Sequence, residues 1–179
     1  MSASRIGIAA ASEVGETDAE RPGRLEELYT RHAPDAYRLA YLLTGDRPLA
    51  EDLVQEAFIN VAGRLRHLRK PDAFHAYLRR TVLNLSRMHF RRRQVERAYL
   101  DREVPVAHVG DLTLELDARD DLWRQLQRLP YRQRAAIVLR YCEGLSDRES
   151  ADVLRCRPGT VRSLLSRGLS DLRTRIRME

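Results

Sequence analysis

Long apolar runs are missing from these 179 residues. None approaches the roughly 20 apolar residues of a membrane-spanning helix. The apolar patch from Ile6 to Ala11 behind Arg5 is too brief for a secretory core. Membrane insertion is therefore not expected. Cysteine is scarce: Cys142 and Cys156 are the only two, too few for a disulfide framework. Both are expected as small buried apolar residues in a reducing cytoplasm. No Cys/His cluster has zinc-site spacing, and no Gly-rich phosphate loop occurs, so no metal or cofactor is expected. Nine glycines and seven prolines leave few chain breakers, and no run alternates like consecutive strands. Leu, Ala, Arg and Glu dominate, which makes the fold class all-α. Lysine is nearly absent too: Lys70 is the single lysine among 32 basic residues. GC-rich coding accounts for this most simply, and a demand for guanidinium chemistry is the alternative.

The segment from Ser146 to Ile176 carries the most information. Ser146 is a plausible N-cap, and Glu149 three residues later completes a capping box. Pro158 stands where a second helix should begin. Val161, Leu164, Leu165, Leu169, Leu172 and Ile176 then recur at helical spacing as one apolar face. The opposite face carries Arg157, Thr160, Arg162, Ser163, Ser166, Arg167 and Arg173. A capped short helix, a turn and a basic amphipathic helix form a helix-turn-helix, whose second helix can enter a DNA major groove. Arg157, Thr160, Arg162, Ser163, Ser166 and Arg167 are the candidate groove residues. Arginine pairs with guanine or grips phosphate, and hydroxyls do either less selectively.

The net charge of +6 hides strong segregation. Residues 1–63 carry −5, residues 64–97 carry +9, residues 98–154 carry −3 and residues 155–179 carry +5. A polyanion touching both basic blocks would meet the chain at two separate places. Residues 1–23 read as a disordered tail. A helical domain over 24–97 follows. Its first part is an apolar helix pair broken near Pro34. Asp46 caps the next helix, with Pro48 in its first turn; there Leu49, Leu53, Ala57, Val61 and Leu65 share one face, and Glu51, Asp52, Gln55 and Glu56 crowd the other. Asp72 reads as the N-cap of a long third helix with a seam of Phe74, Leu78, Val82, Leu85 and either Met88 or His89. Residues 98–118, with Pro105 and Gly110, read as a linker. A second domain, 119–179, has helices over 121–129 and 131–142 before the helix-turn-helix.

The third helix interleaves Arg79, Arg80, Arg87, Arg91, Arg92, Arg93 and Arg97 with Tyr77, Asn84 and His89. Such a helix by itself is most simply a solvated face. Beside a helix-turn-helix it suits melted DNA, with bases stacked on rings and arginines along the backbone. The acidic group Glu51, Asp52 and Glu56 has no His or Cys beside it at metal-ligand spacing. It reads as a solvated face or a docking surface for a basic partner, and catalysis is not expected.

These residues resemble a known family. Ala50–Phe58 (AEDLVQEAF), the helix Phe74–Arg93 and the stretch Leu145–Ile176 together are similar to bacterial RNA polymerase sigma factors of the extracytoplasmic-function group. The match spans about residues 25–177, with three motifs in the family's order. It implies two helical domains, sigma regions 2 and 4, joined by a flexible linker. It implies as partners the core polymerase, through the β′ clamp helices and the β flap, together with promoter DNA and, in some members, an anti-sigma factor. By position, Glu51, Asp52, Gln55 and Glu56 would dock on core. Lys70, Tyr77, Arg80, Asn84, Arg87 and Arg91 would read and melt the −10 element, and the groove residues would read the −35 element. Several positions depart from the family's habit: Tyr77 for Trp, Met88 for Asp, Arg155 for a turn glycine, Arg157 for a hydroxyl cap, and Leu164 for a basic residue. A left-handed Arg155 would cost roughly 1 kcal/mol. The competing readings are a helix-turn-helix regulator of the response-regulator output type and an all-α interaction protein. The first does not account for an acidic helix followed by a basic aromatic one, and the second leaves the groove-face hydroxyls and arginines unexplained.

Overall fold

The computed structural model describes residues 21–63, 71–100 and 118–176. Among them there are helices and no strands. The N-terminal unit is α1 (Arg21–Thr44), α2 (Arg47–Ala62) and α3 (Pro71–Leu100). The C-terminal unit is α4 (Ala118–Gln127), α5 (Tyr131–Ile137) with a π-helical turn (Val138–Cys142), α6 (Asp147–Leu154) and α7 (Pro158–Ile176).

The helix pair expected around Pro34 is one helix: α1 runs through Pro34 without a break. An interior proline forgoes one backbone bond at a cost of about 3 kcal/mol. Here Pro34 is exposed, while Ala36, Leu39, Ala40 and Leu43 just beyond it are buried. That burial offsets the local loss. The helix also begins at Arg21, three residues inside the stretch assigned to a tail. Asp46 caps α2 as expected, its side chain accepting from the Leu49 amide at 3.0 Å. Asp72, expected as the N-cap of α3, stands inside the helix. The helix starts one residue earlier, at Pro71, where a proline's missing N–H costs least.

Gly45 links α1 to α2 with φ +74°, a conformation that favours glycine. A Cβ there would also lie 2.8 Å from the Gln127 side chain of α4. The core of the N-terminal unit closes on Phe74, 2% exposed. Its ring lies 6.0 Å from Phe58 of α2 and 5.2 Å from His32 of α1. The α3 seam continues through Leu78 and Val82 to a half-buried His89, while Met88 is exposed.

In the C-terminal unit the helix expected over 131–142 changes pitch at its end. Glu143 N–H reaches back to Val138 O at 3.1 Å, the five-residue return of a π turn. Cys142, expected in the core, is exposed, and Cys156 is half-buried. The π turn ends the helix at the surface, so the thiol has no core to enter. Gly168 is a packing notch that periodicity does not reveal. A Cβ there would sit 2.8 Å from Ile137 Cδ1 and 3.3 Å from Gln133 Cβ. Gly168→Val is expected to lower stability by about 1–3 kcal/mol through overpacking. Chemical denaturation measures this, and an unchanged midpoint would mean that α5 and α7 separate freely.

The two units pack on each other. Trp123 of α4 stacks on Tyr41 of α1, centroids 5.3 Å apart. Gln127 donates to Leu42 O at 2.9 Å, and the Tyr131 hydroxyl donates to Leu83 O at 3.0 Å. Burial pushes the Tyr131 phenol well above its ordinary pKa. Arg134 of α5 lies over the Phe90 ring of α3 at 5.1 Å and contacts Gln127. Its burial lowers the guanidinium to about 10. The Glu143 carboxylate lies between two arginines of the N-terminal unit, 3.1 Å from Arg79 and 4.0 Å from Arg38.

Candidate nucleic-acid interface

Three solvent-facing surfaces are built from the residues singled out by sequence. The first is on α2. Its inner face buries Ala50, Leu53, Val54, Ala57, Phe58 and Val61. Glu51, Asp52, Gln55 and Glu56 are therefore turned outward, and all four are exposed. Ile59, one turn further on, is 73% exposed, an apolar residue at the end of an acidic face that sequence reasoning missed. Its i, i+4 spacing from Gln55 was the available signal.

The second surface is a stripe on α3. Tyr77, Arg80, Asn84, Arg87 and Arg91 follow at steps of three and four, so one side of the helix presents them all. Arg80, Arg87 and Arg91 are exposed, and Tyr77 and Asn84 are half-buried. The stripe is part of a mixed environment: Asn84 and Arg87 line a cavity of about 140 Å³ together with Tyr131, Arg132, Val153, Leu154 and Arg155 of the C-terminal unit. Lys70 lies outside the described residues, as does the basic loop around it.

The third surface is on α7. Ser146 accepts from the Glu149 amide at 3.2 Å, and the Ser146 amide donates to Glu149 Oε2 at 2.8 Å, the reciprocal pair of a capping box. The Ser146 hydrogen bonds hold the Glu149 carboxyl below its ordinary pKa. This fixes the start of α6. Its end turns through Arg155 at φ 51°, ψ 55°, a left-handed C-cap. The turn is therefore the ordinary one, made by arginine instead of glycine. Arg155→Gly is expected to raise stability by about 1 kcal/mol. No gain on chemical denaturation would mean that the arginine's contacts offset its strain. Arg157 offers the backbone carbonyl that receives Thr160 N–H at 2.9 Å.

Beyond that turn, Val161, Gly168 and Leu172 are buried, which sets the rotation of α7. Arg157, Thr160, Arg162, Ser163, Ser166 and Arg167 are all exposed. At about 100° per residue, Ser163 and Ser166 lie near the middle of the exposed arc. Arg162 falls towards one edge, and Thr160 and Arg167 towards the other. Ser163 also donates back to Gly159 O at 3.0 Å. Among the described residues no group of His, Cys, Asp and Glu could hold a metal ion, and no helix is long and apolar enough to cross a membrane.

Two helical units in this order, the second ending in a capped helix-turn-helix, define a two-part DNA-binding protein. Comparison with known families names the parts: residues 28–96 match sigma-70 region 2, and residues 119–172 match sigma-70 region 4. The SigE extracytoplasmic-function sigma factor of Mycolicibacterium smegmatis is 39% identical over 154 residues. That match covers 83% of this chain and 60% of the relative, so the chain spans about three fifths of its length. The sigma-E factor of Streptomyces avermitilis is 36% identical over 148 residues, covering 82% of both chains. Among solved structures, the sigma factor RpoE of Bartonella quintana, in complex with the anti-sigma factor NepR, superposes with a TM-score of 0.67. It is 25% identical, and the match covers 87% of this chain and 98% of that one. CnrH, in complex with the cytosolic domain of CnrY, shares the fold with a TM-score of 0.61 at 22% identity, over 90% of this chain and 99% of that one. The chain belongs to the extracytoplasmic-function group of sigma-70 factors, the sigma factors of transcription initiation.

Proposed function

We propose that this chain binds core RNA polymerase in the cytoplasm and directs it to promoters by reading two elements and holding the melted strand. It contributes no bond-making chemistry of its own. The observation that carries this reading is the separation of three faces on three helices: exposed acid on α2, exposed arginine beside half-buried Tyr77 and Asn84 on α3, and exposed arginine with hydroxyls on α7. In this reading Glu51, Asp52, Gln55 and Glu56 dock on the β′ clamp helices, and the C-terminal unit meets the β flap. Tyr77 stacks on an unpaired base while Asn84 contacts base edges. Arg80, Arg87, Arg91 and Lys70 follow the phosphates of the −10 strand. Ser163 and Ser166 face the groove floor of the −35 element, with Thr160, Arg157, Arg162 and Arg167 around them. The proposed domain limits are 24–97 and 119–179 with a linker between, and an anti-sigma factor is a further proposed partner. In vitro transcription with purified core enzyme tests the whole. Promoter-specific transcripts that depend on the chain are expected. Their absence, with no co-purification of core, would sink it.

A further inference from the structure

We propose that the cavity bordered by α3, α5 and the end of α6 is an anion site, which holds a small ligand by a phosphate or diphosphate group. The cavity is about 140 Å³. That is far more than the roughly 15 Å³ that admits one water, and it is wide enough for such a group. Part of its lining is apolar: Leu83 is 3% exposed, and Val153 and Leu154 are half-buried. The rest is cationic. Arg87 comes from α3, Arg132 from α5 and Arg155 from the turn after α6. All three are exposed, so an anion can enter from solvent. Among the described residues no acidic side chain lines the cavity, and no salt bridge involves any of these arginines.

Three cations brought to one small space from three separate elements repel one another. An anion among them replaces that repulsion with attraction, and the apolar part of the lining lowers the local dielectric and strengthens it. The donor set selects phosphate. The Tyr131 hydroxyl gives its one hydrogen to Leu83 O at 3.0 Å, so it has none left for a ligand. The Asn84 amide and the three guanidinium forks remain as donors. Each fork matches a pair of anionic oxygens. A carboxylate has a single such pair, whereas a phosphate presents several oxygens and more charge.

Arg155 is an independent sign. Its φ of 51° is left-handed, a conformation that glycine would adopt without strain. Strain of this kind concentrates at ligand sites, where the surroundings hold it in place. Here the strained residue is the one that brings the third cation to the cavity. Asn84 and Arg87 also belong to the α3 stripe assigned to the −10 strand. On that assignment the strand and the small ligand compete for the same two side chains, but the anion site itself does not depend on it.

Isothermal titration calorimetry of the full chain, in a phosphate-free zwitterionic buffer, tests the site. The probes are inorganic pyrophosphate, ADP and acetate. Saturable one-site binding of pyrophosphate is expected, with a dissociation constant below about 1 mM, and none of acetate. Arg132→Gln and Arg155→Gly are each expected to weaken it by about tenfold or more. Arg155→Gly should do so even though it relaxes the turn, which separates binding from folding. Arg175→Gln removes the same charge from an exposed position outside the cavity and should bind as wild type does. ADP that binds as tightly as pyrophosphate identifies a nucleotide held by its phosphates, and weaker ADP identifies a free inorganic anion. No saturable binding of pyrophosphate, acetate that binds as well, or equal losses in all three variants would overturn the site. Neither polymerase nor DNA is present, so failure here leaves the sigma-factor reading standing, and transcription with core enzyme tests that reading separately.

Discussion

The double substitution Asp52→Arg with Glu56→Arg is expected to cut affinity for core polymerase by roughly 30- to 1000-fold, on the order of 2–4 kcal/mol. The effect is large because the change replaces attraction with like-charge contact across a docked surface. Both side chains are exposed on α2 and neither caps a helix, so stability should change by less than about 0.5 kcal/mol. The N-cap of α2 is Asp46, which stays in place. Titration of labelled chain with core enzyme measures the affinity, and a thermal melt checks the fold. The gap between variant and wild type should shrink as salt rises, since exposed charge pairs are screened within about 10 Å at 0.1 M salt. Core affinity that does not change would remove α2 from the docking surface.

Replacing Arg162 and Arg167 together by alanine is expected to weaken binding to promoter duplex on the order of 100-fold, about 1–2 kcal/mol for each arginine. The two residues stand towards opposite edges of the exposed arc of α7, where a helix in the major groove meets the two phosphate backbones. The loss should therefore be similar for all sequences. The slope of log affinity against log salt should fall by about 1 per arginine removed. Ser163→Ala, at the centre of the arc, should change affinity little and sequence preference more. If Arg162→Ala instead relaxes the choice at one base pair and leaves the salt slope unchanged, that arginine pairs with a base edge. Neither arginine packs in the core, since Val161, Gly168 and Leu172 fill that role, so a folding defect would not account for the result.

Much of the helix-turn-helix was legible in the sequence because its signals are local. A capping box needs residues three apart, and Ser146 with Glu149 makes both bonds. An apolar stripe needs steps of three and four, and Val161 and Leu172 are buried as that spacing requires. The acidic face of α2 follows from the same period, since Leu53, Ala57 and Val61 are inside. Pro34 misled because a local rule about proline met a tertiary gain from Leu39 and Leu43. Cys142 misled because average burial of cysteine says nothing about where a π turn ends. Gly168 was unreadable because its need is set by Ile137, on another helix.

The outward faces of α2 and α7 and the caps of α2 and α6 were determined by the sequence itself. Each depends on neighbours within about one turn of helix, and such interactions are written in short-range spacing. The tertiary structure alone decided that the Glu143 side chain is buried near Arg38 and Arg79, and that Asn84 shares a cavity with Val153, Leu154 and Arg155. Arg38 also donates to Cys142 O, 104 positions away, and no periodicity reports on such a pair. Contacts of that range arise from how two preformed apolar faces dock, a choice made by packing and desolvation across the whole chain.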